Sequence, residues 1–488
     1  MNVVDNFVSL ALKNNAIKPL DVIYLKNKIY GLIGFINSGE TQSDQLDDLL
    51  DILISAAIEN GKIHDSITER EILETQLTDL LTPLPSYVNE KFWQNYQLSP
   101  QTATDYFFNL SKNNNYVKTK AINKNIAFKA ATNYGSLELT INLSKPEKDP
   151  KAIAAAAKEN SSQKYPQCAL CMENEGYLGR LNYPARSNHR IIRIPIGGQT
   201  YGMQYSPYAY FNEHAIFLNS QHVPMHIDKR AFNNLLEIVT LFPHYFVGSN
   251  ADLPIVGGSV LSHDHYQGGR HIFPMMEAKL AKSFNLHGYK DVQCGIVNWP
   301  LSTIRLQGKN IDTIANAAEH ILNTWINYSD EKVDIIPFTG SIRHHTITPI
   351  AYRDHDDYIL DLVLRDNHTS DKYPDGVFHP HADVQHIKKE NIGLIEVMGR
   401  AILPARLKEE LSEVQKYLLD QPNSISEIHL AWANQIKKKH NVCLENVSEV
   451  LACELGNTFA RVLEDAGVFK LNEEGQEAWL RFINVLNK

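Results

Sequence analysis

The 488-residue sequence has little cysteine, no excess of positive charge and no long hydrophobic run. Its five cysteines form an odd and scattered set, unlike the disulfide framework of a secreted domain. Lys and Arg number 47 against 56 Asp and Glu, and this net charge of −9 argues against nonspecific binding of nucleic acid. No apolar run is long enough to span a bilayer, and the first residues lack the features of a signal peptide. We therefore expect a cytoplasmic protein without nucleic-acid or membrane partners.

The composition is that of a globular protein, with 43% hydrophobic and 21% charged residues, and the length predicts more than one structural unit. Helical spacing of apolar residues dominates both ends of the chain, whereas short strand-like runs alternate with helices in the middle. We predict an α+β fold with a mainly helical region at 1–160, α+β units at 161–290 and 291–410, and a helical region at 411–488.

The most specific chemistry lies in the glycine-rich run Gly257-Gly258-Ser259-Val260-Leu261-Ser262-His263-Asp264-His265-Tyr266-Gln267-Gly268-Gly269. In an extended segment, side chains two residues apart point to the same side, so His263, His265 and Gln267 would share a face. His265 could then act as a nucleophile toward phosphorus, with Gln267 donating to a phosphoryl oxygen. The glycines, which have no side chain, would let backbone N–H groups approach a negatively charged diphosphate. The alternative interpretation is a surface loop rich in turn residues.

A second signal is the Cys-x-x-Cys turn formed by Cys168 and Cys171. Two thiolates at this spacing can hold one zinc ion when two further ligands come from elsewhere in the chain, and His222 and His263 are the candidates. Such a site would fix the glycine-rich run and leave His265 free to react. The alternatives are a reduced thiol pair and a redox motif, the latter disfavoured because no βαβ pattern surrounds the pair.

Several longer motifs occur in a fixed order along the chain. They are Asn174-Glu175-Gly176-Tyr177, Gln204-Tyr205-Ser206-Pro207-Tyr208, Phe242-Pro243-His244-Tyr245-Phe246, Gly248-Ser249-Asn250-Ala251-Asp252-Leu253-Pro254, Ser262-His263-Asp264-His265-Tyr266-Gln267-Gly268-Gly269 and His386-Ile387-Lys388-Lys389-Glu390-Asn391-Ile392-Gly393. Together they resemble the class II galactose-1-phosphate uridylyltransferases over nearly the whole chain. His-x-His-x-Gln alone would indicate only the wider histidine-triad-like superfamily.

The resemblance implies duplicated histidine-triad-like units, each an antiparallel sheet with helices, and a homodimer. The implied activity moves UMP from UDP-glucose to galactose 1-phosphate and yields UDP-galactose and glucose 1-phosphate. It would proceed by a ping-pong mechanism through a uridylyl group on His265, with neutral imidazole attacking through Nε2. Asp264 stands where the better characterised class I relatives have proline, and its side chain should point away from the substrate.

The resemblance also assigns roles to individual residues. The implied catalytic residues are His265 and Gln267, and the implied zinc ligands are Cys168, Cys171 and His263 by motif and His222 by its place after a strand. The candidate substrate-binding residues are Asn250, Gly257, Gly258 and Ser259 toward the nucleotide, and Lys389, Asn391 and Glu396 in the segment that reaches the hexose. The pair Lys388 and Lys389 also fits a solvated helix start.

A second His-x-His, at His379 and His381, closes the second α+β unit and favours a duplicated architecture. By similarity it corresponds to a second, structural metal site, with Glu277 and either His344 or His345. A hydrogen-bonded pair of buried histidines explains the same residues without a metal.

Two other functions use the same residues. A nucleotide hydrolase or dinucleoside-polyphosphate phosphorylase of the superfamily would use the same nucleophile but pass the nucleotidyl group to water or phosphate. A zinc-stabilised UDP-sugar sensor would bind the nucleotide sugar without forming a covalent adduct. Dependence on a sugar phosphate separates the enzymes, and a covalent adduct separates either enzyme from the sensor.

Overall fold

A computed structural model describes residues 2–36, 43–144, 165–180, 182–258 and 260–488. Ser259 lies outside the described residues. So does the charged and alanine-rich segment at 145–157, whose sequence fits a linker or a short helix. None of the helices in the described ranges combines the length and the apolar character needed to cross a membrane.

The centre of the fold is a ten-stranded antiparallel sheet. Its strands are β3 (Ile192–Ile196), β4 (Gln199–Tyr205), β5 (Ala215–Asn219), β6 (Phe246–Gly248), β7 (His265–Gly269), β8 (Leu280–Phe284), β9 (Gln293–Val297), β10 (Thr303–Gly308), β13 (His345–Asp354) and β14 (Asp357–Asp366). A three-stranded sheet contains β1 (Ile126–Thr132), β2 (Gly135–Ile141) and β15 (Arg400–Leu403), and a hairpin contains β11 (Phe338–Thr339) and β12 (Ile342–Arg343).

The helices surround these sheets. They are α1 (Val3–Lys13), α2 (Val22–Ile33), α3 (Leu46–Glu59), α4 (Ile67–Asp79), α5 (Pro85–Tyr96), α6 (Pro100–Asn113), α7 (Thr119–Ile122), α8 (Lys229–Leu241), α9 (Pro274–Glu277), α10 (Ile311–Asn327), α11 (Leu394–Val397), α12 (Leu407–Leu418), α13 (Glu427–Lys439), α14 (Val447–Ala466) and α15 (Glu473–Leu486).

The order of strands in the large sheet shows the duplication. The first half reads β3-β4-β5-β7-β6 from its outer edge inward, and the second half reads β8-β9-β10-β14-β13 from the opposite edge inward. Each half therefore places its last strand between its third and fourth, and the halves join where β6 pairs with β13. Helix α8 connects β5 to β6, and helix α10 leads from β10 toward β13. The predicted α+β fold of duplicated units is confirmed. The second half of the sheet begins with β8, at Leu280.

Helices α8 and α10 pack side by side on one face of the sheet because each has a continuous apolar face. In α8, Phe232, Leu235 and Val239 recur at helical spacing and are buried. Asp228 caps this helix by accepting a hydrogen bond from the Ala231 N–H at 3.0 Å. The shared core of the two units lies between these helices and the sheet.

The opposite face of the sheet carries the three-stranded sheet and helices α12 to α14, whereas the last helix, α15, packs with α10 in the shared core. Strand β15 pairs in parallel with β2, and the adjoining core includes residues of α11, α12 and α14. The segment from Lys388 to Glu396 lies on this face, next to the end of β6. Helices α1 to α4 instead pack around a separate apolar cluster at the N-terminal end of the chain.

Candidate active site and metal centre

Strand β7 carries the predicted nucleophile at its first residue. The Nδ1 N–H of His265 donates to the backbone carbonyl of His263 at 2.7 Å, so Nε2 keeps its lone pair. Burial lowers the pKa of His265 below its ordinary value, and the ring is therefore neutral near pH 7. A neutral imidazole with a fixed Nδ1 proton has the form required for nucleophilic attack.

Gln267, two residues further along β7, shares a face with His265. Its Oε1 accepts a hydrogen bond from Nε2 of His214 at 2.9 Å. The amide nitrogen of Gln267 is thereby left to donate elsewhere. His214 was not predicted from the sequence, because its contact depends on the pairing of Ile216 in β5 with Gln267, which no local pattern specifies.

Asp264 points to the other side of the strand, as the alternation of side chains requires. Its buried carboxylate accepts hydrogen bonds from the Tyr201 hydroxyl at 2.8 Å and from Asn219 Nδ2 at 3.3 Å. Arg230 lies 3.5 Å from the same carboxylate oxygen. The residue that replaces the class I proline therefore anchors β7 to β4 and β5, away from the face of His265.

The four residues predicted to bind zinc come together beside β7. Cys168 Sγ lies 3.5 Å from Cys171 Sγ and 3.2 Å from His263 Nδ1, and Cys171 Sγ lies 3.3 Å from His222 Nδ1. All four ligand atoms lie within 4.8 Å of one another. Two sulfur and two nitrogen atoms at these separations fit a tetrahedral metal site of the zinc type, with bonds of about 2.0–2.3 Å.

The surroundings of the cluster also suit a metal. His263 donates through Nε2 to the Asn219 carbonyl at 2.8 Å, which leaves Nδ1 as the ligand atom and fixes the ring. Burial and the neighbouring Cys168 raise the pKa of Cys171 to about 12, because two adjacent thiolates repel each other. A cation between the sulfurs would allow both to ionise. The metal would hold the turn, His222 and the start of β7 together, and His265 is not one of its ligands.

A cleft of about 610 Å³ opens beside Gln267. Its lining combines most of the substrate-binding residues predicted from the sequence with side chains of the Lys388–Glu396 segment. The lining residues include Tyr210, Asn250, Gly257, Gly258, Gln267, Lys388, Asn391, Gly393 and Glu396. Among the residues predicted to contact substrate, Ser259 lies outside the described part of the chain.

Close backbone packing shapes one wall of the cleft. A Cβ on Gly257 would lie 2.8 Å from the Ala251 backbone nitrogen, so only glycine fits there. Asn250 Oδ1 accepts a hydrogen bond from the Leu394 N–H at 2.9 Å. This bond ties the loop after β6 to the first residue of α11, and the Asn250 amide nitrogen remains available toward the cleft.

Of the two adjacent lysines in the Lys388–Glu396 segment, Lys388 lines the cleft. The Nζ of Lys388 is buried, donates to Glu396 Oε1 at 3.1 Å and to the Ile402 carbonyl at 3.0 Å, and lines the cleft. Lys389 is exposed and does not line it. Neither lysine begins a helix, because α11 starts at Leu394, and of the two only Lys389 is solvated.

The second His-x-His does not assemble a metal site in the described part of the chain. His379 Nε2 donates to the Lys389 carbonyl at 3.1 Å, and His381 Nε2 donates to the Val377 carbonyl at 3.1 Å. Both histidines follow β14, whereas His265 begins β7, and β14 itself contains no histidine. The two His-x-His motifs are therefore not equivalent positions of the duplicated units.

The other ligands considered for the second metal lie in separate contacts. His344 bonds to Asn367 and Thr339, and His345 bonds to Asp366 and the Trp325 carbonyl. Within the ranges that the structure describes, the cluster at Cys168 is the one group of three or more potential ligands. The prediction of a second metal at His379 and His381 is not supported in this part of the chain, because Nε2 of each is directed at a backbone carbonyl and Nδ1 of His381 lies 3.4 Å from the Asp465 carboxylate, with no third ligand grouped beside them.

Two family models match successive parts of the chain, and the boundary between them falls between the end of β5 and the middle of α8. The model of the galactose-1-phosphate uridyl transferase N-terminal domain matches residues 15–224, and the model of the C-terminal domain matches residues 237–434. The chain belongs to the galactose-1-phosphate uridylyltransferase family. The family match covers both His265 and the Lys388–Glu396 segment.

Relatives of the same family match over almost the full length. Galactose-1-phosphate uridylyltransferases from Pediococcus pentosaceus and Lactiplantibacillus plantarum are each 59% identical to this chain over 488 residues, covering 100% of both chains. Galactose-1-phosphate uridylyltransferase 1 from Streptococcus pneumoniae is 56% identical, covering 99% of this chain and 98% of its own. A solved yeast Ap4A phosphorylase covers 63% of this chain and 90% of its own at 11% identity with a TM-score of 0.33, which carries no conclusion.

Proposed function

We propose that this member of the uridylyltransferase family transfers UMP from UDP-glucose to galactose 1-phosphate through a covalent intermediate on His265. The observation that carries the proposal is the hydrogen bond from His265 Nδ1 to the His263 carbonyl, which leaves Nε2 as a neutral nucleophile two residues from Gln267 in the lining of the cleft. Membership of the family and full-length identity of 59% to two uridylyltransferases support the choice of substrates.

The reaction requires two displacements at one phosphorus atom. In the first, His265 Nε2 forms a bond to the α-phosphorus of UDP-glucose, and glucose 1-phosphate leaves with the electron pair of the broken P–O bond. In the second, a phosphate oxygen of galactose 1-phosphate attacks the same phosphorus, and neutral His265 leaves. Each sugar phosphate is an adequate leaving group and nucleophile without a proton transfer, so the residues around it mainly position groups and offset charge.

The residues around His265 can supply these functions. The Nδ1 proton remains with the His263 carbonyl while the imidazole ring gains positive charge. The amide nitrogen of Gln267 donates to a phosphoryl oxygen, and the backbone at Gly257 and Gly258 allows the diphosphate to approach closely. Lys388 and Glu396, as a cation and an acceptor, provide contacts for the hexose 1-phosphate.

Zinc in the cluster of Cys168, Cys171, His222 and His263 belongs to the same proposal. The two sulfur and two imidazole ligands favour zinc over magnesium or calcium, which prefer oxygen. A homodimer, which the resemblance to the family implies, and a cytoplasmic location, which was predicted from the sequence, complete the proposal.

The lysine pair offers a matched test of the sugar-phosphate site. We expect Lys388→Met to raise KM for galactose 1-phosphate by about 10- to 100-fold, because a charge-assisted contact worth about 1.5–3 kcal/mol is lost. Lys389→Met, one residue away but exposed, should leave KM within about twofold of the parent, as is usual for surface substitutions. Steady-state kinetics at saturating UDP-glucose measure both, with melting temperatures as the check on folding. A larger effect at Lys389 than at Lys388 would assign the contact to the exposed lysine.

Isotope exchange tests the proposed function as a whole. The protein is mixed with UDP-glucose and labelled glucose 1-phosphate, with no galactose 1-phosphate present. A uridylyl-enzyme returns UMP to the labelled sugar phosphate, so label enters UDP-glucose. Release of nucleotide to water or inorganic phosphate in place of exchange would identify the hydrolase or phosphorylase instead. Binding of UDP-glucose without exchange or release would identify a sensor.

A further inference from the structure

His214 is a buried histidine that the two displacements described above do not use. It is 3% exposed and directly precedes β5, and its ring lies against that of Phe211, with centroids 4.4 Å apart. Burial lowers the pKa of His214 to about 4, with a smaller contribution in the same direction from Arg400. The ring is therefore neutral throughout the physiological range and carries a single N–H.

The position of that proton follows from the partners of the two ring nitrogens. Nδ1 of His214 is buried and has no hydrogen-bond partner in the ranges that the structure describes. Nε2 lies 2.9 Å from Oε1 of Gln267. A proton on Nδ1 would leave a buried donor unsatisfied, which is costly, so the proton belongs on Nε2. An N–H at Nε2 requires an acceptor, and the oxygen of the Gln267 amide is that acceptor.

A glutamine amide can present either its oxygen or its nitrogen to a neighbour, and the two orientations have opposite consequences here. An oxygen directed at the phosphoryl group would repel its negative charge, whereas the NH₂ group would donate hydrogen bonds to it. We propose that His214 is a positioning residue that holds the Gln267 amide with its nitrogen toward the phosphoryl group. This inference rests on the proposed function, because it assigns a role within that reaction.

Backbone packing keeps the two side chains at this separation. A Cβ on Gly269, at the end of β7, would lie 2.4 Å from the carbonyl oxygen of Glu213, the residue before His214. The close approach of these two backbones is possible because position 269 is glycine. The relative placement of His214 and Gln267 is therefore set by the pairing of β5 with β7 and by the ring of Phe211.

Three variants test the role. His214→Phe keeps a ring of similar size but removes the donor, and we expect the single-turnover rate of uridylylation to fall about 10- to 100-fold, with the KM for both substrates within about twofold. Gln267→Ala removes the positioned amide itself and should cost about 100-fold or more. The His214→Gln substitution keeps an amide donor and should recover part of the loss.

The double variant provides a measurement that a purely structural role would not change. If His214 acts through Gln267, adding His214→Phe to Gln267→Ala should cause little further loss, because the group that His214 positions is already absent. Losses that multiply would overturn the proposal, as would an unchanged rate in His214→Phe. Should His214→Phe fail to fold, the same comparison of single and double variants can be made with His214→Gln. Its partial loss of uridylylation rate must likewise disappear when Gln267→Ala is also present.

The outcome is separable from that of the proposed function. Wild-type protein must first show exchange of labelled glucose 1-phosphate, and absence of that exchange would reject the function before any variant is made. If the wild type shows exchange, the comparison of the His214 and Gln267 variants tests only whether His214 holds the Gln267 amide in position.

Discussion

Replacing His265 with alanine should abolish uridylyl transfer while leaving the fold intact. We expect the turnover number to fall by about 10⁴-fold or more, because removal of a covalent nucleophile leaves only the contributions of binding and positioning. His265 is not a zinc-ligand candidate, and within the described residues its side chain bonds to the carbonyl of His263, so its loss should hardly affect the cluster. The measurement is steady-state turnover of UDP-glucose and galactose 1-phosphate, together with a thermal melt.

A control histidine shows whether the effect is specific. His320 is half-buried on α10, and its Nε2 donates to the Leu486 carbonyl at 2.8 Å, outside the residues that line the cleft. His320→Ala should lower stability modestly and leave turnover within a few-fold of the parent. Substantial activity in His265→Ala would mean that another group is the nucleophile or that transfer occurs by direct displacement.

Loss of a cluster cysteine should remove the metal and much of the local stability. We expect Cys171→Ser to retain far less than one equivalent of zinc and to lose about 3–5 kcal/mol of unfolding free energy, as is characteristic of a lost metal site. Activity should fall with it, because His263 is both a ligand candidate and the residue whose carbonyl fixes His265. Metal analysis of the purified protein and chemical unfolding measure the two effects.

A second buried cysteine supplies the matched substitution. Cys294 lies in β9, is 3% exposed and is not part of the cluster. Cys294→Ser makes the same change of sulfur to oxygen in a buried site but should leave metal content unchanged. Equal losses of stability in the two variants, with equal metal content, would show that the cluster is an ordinary thiol pair.

The local chemistry of the site could be read from the sequence. Alternation along an extended segment placed His265 and Gln267 on one face and Asp264 on the other, and β7 has that form. The Cys-x-x-Cys turn and the position of His222 after a strand led to the four residues that the structure brings together. These inferences needed only the two-residue period of a strand and the preferences of a soft metal.

Contacts that depend on tertiary pairing could not be read in this way. The role of His214 depends on the register between β5 and β7, and the choice between Lys388 and Lys389 depends on which side of an irregular segment faces the cleft. The second His-x-His has the spacing of a ligand pair, but Nε2 of each histidine is directed at a nearby carbonyl. The two units share a strand order without a visible sequence repeat, because antiparallel sheets constrain hydrophobic alternation more than residue identity.

The most direct test of the account is the mass of the intact protein after incubation with UDP-glucose and removal of free nucleotide. The account predicts a mass increase of one uridylyl group that maps to the peptide containing His265, is absent in His265→Ala and is discharged by galactose 1-phosphate. Wild-type protein that binds UDP-glucose and turns it over with no such adduct, or with an adduct on another residue, would contradict it.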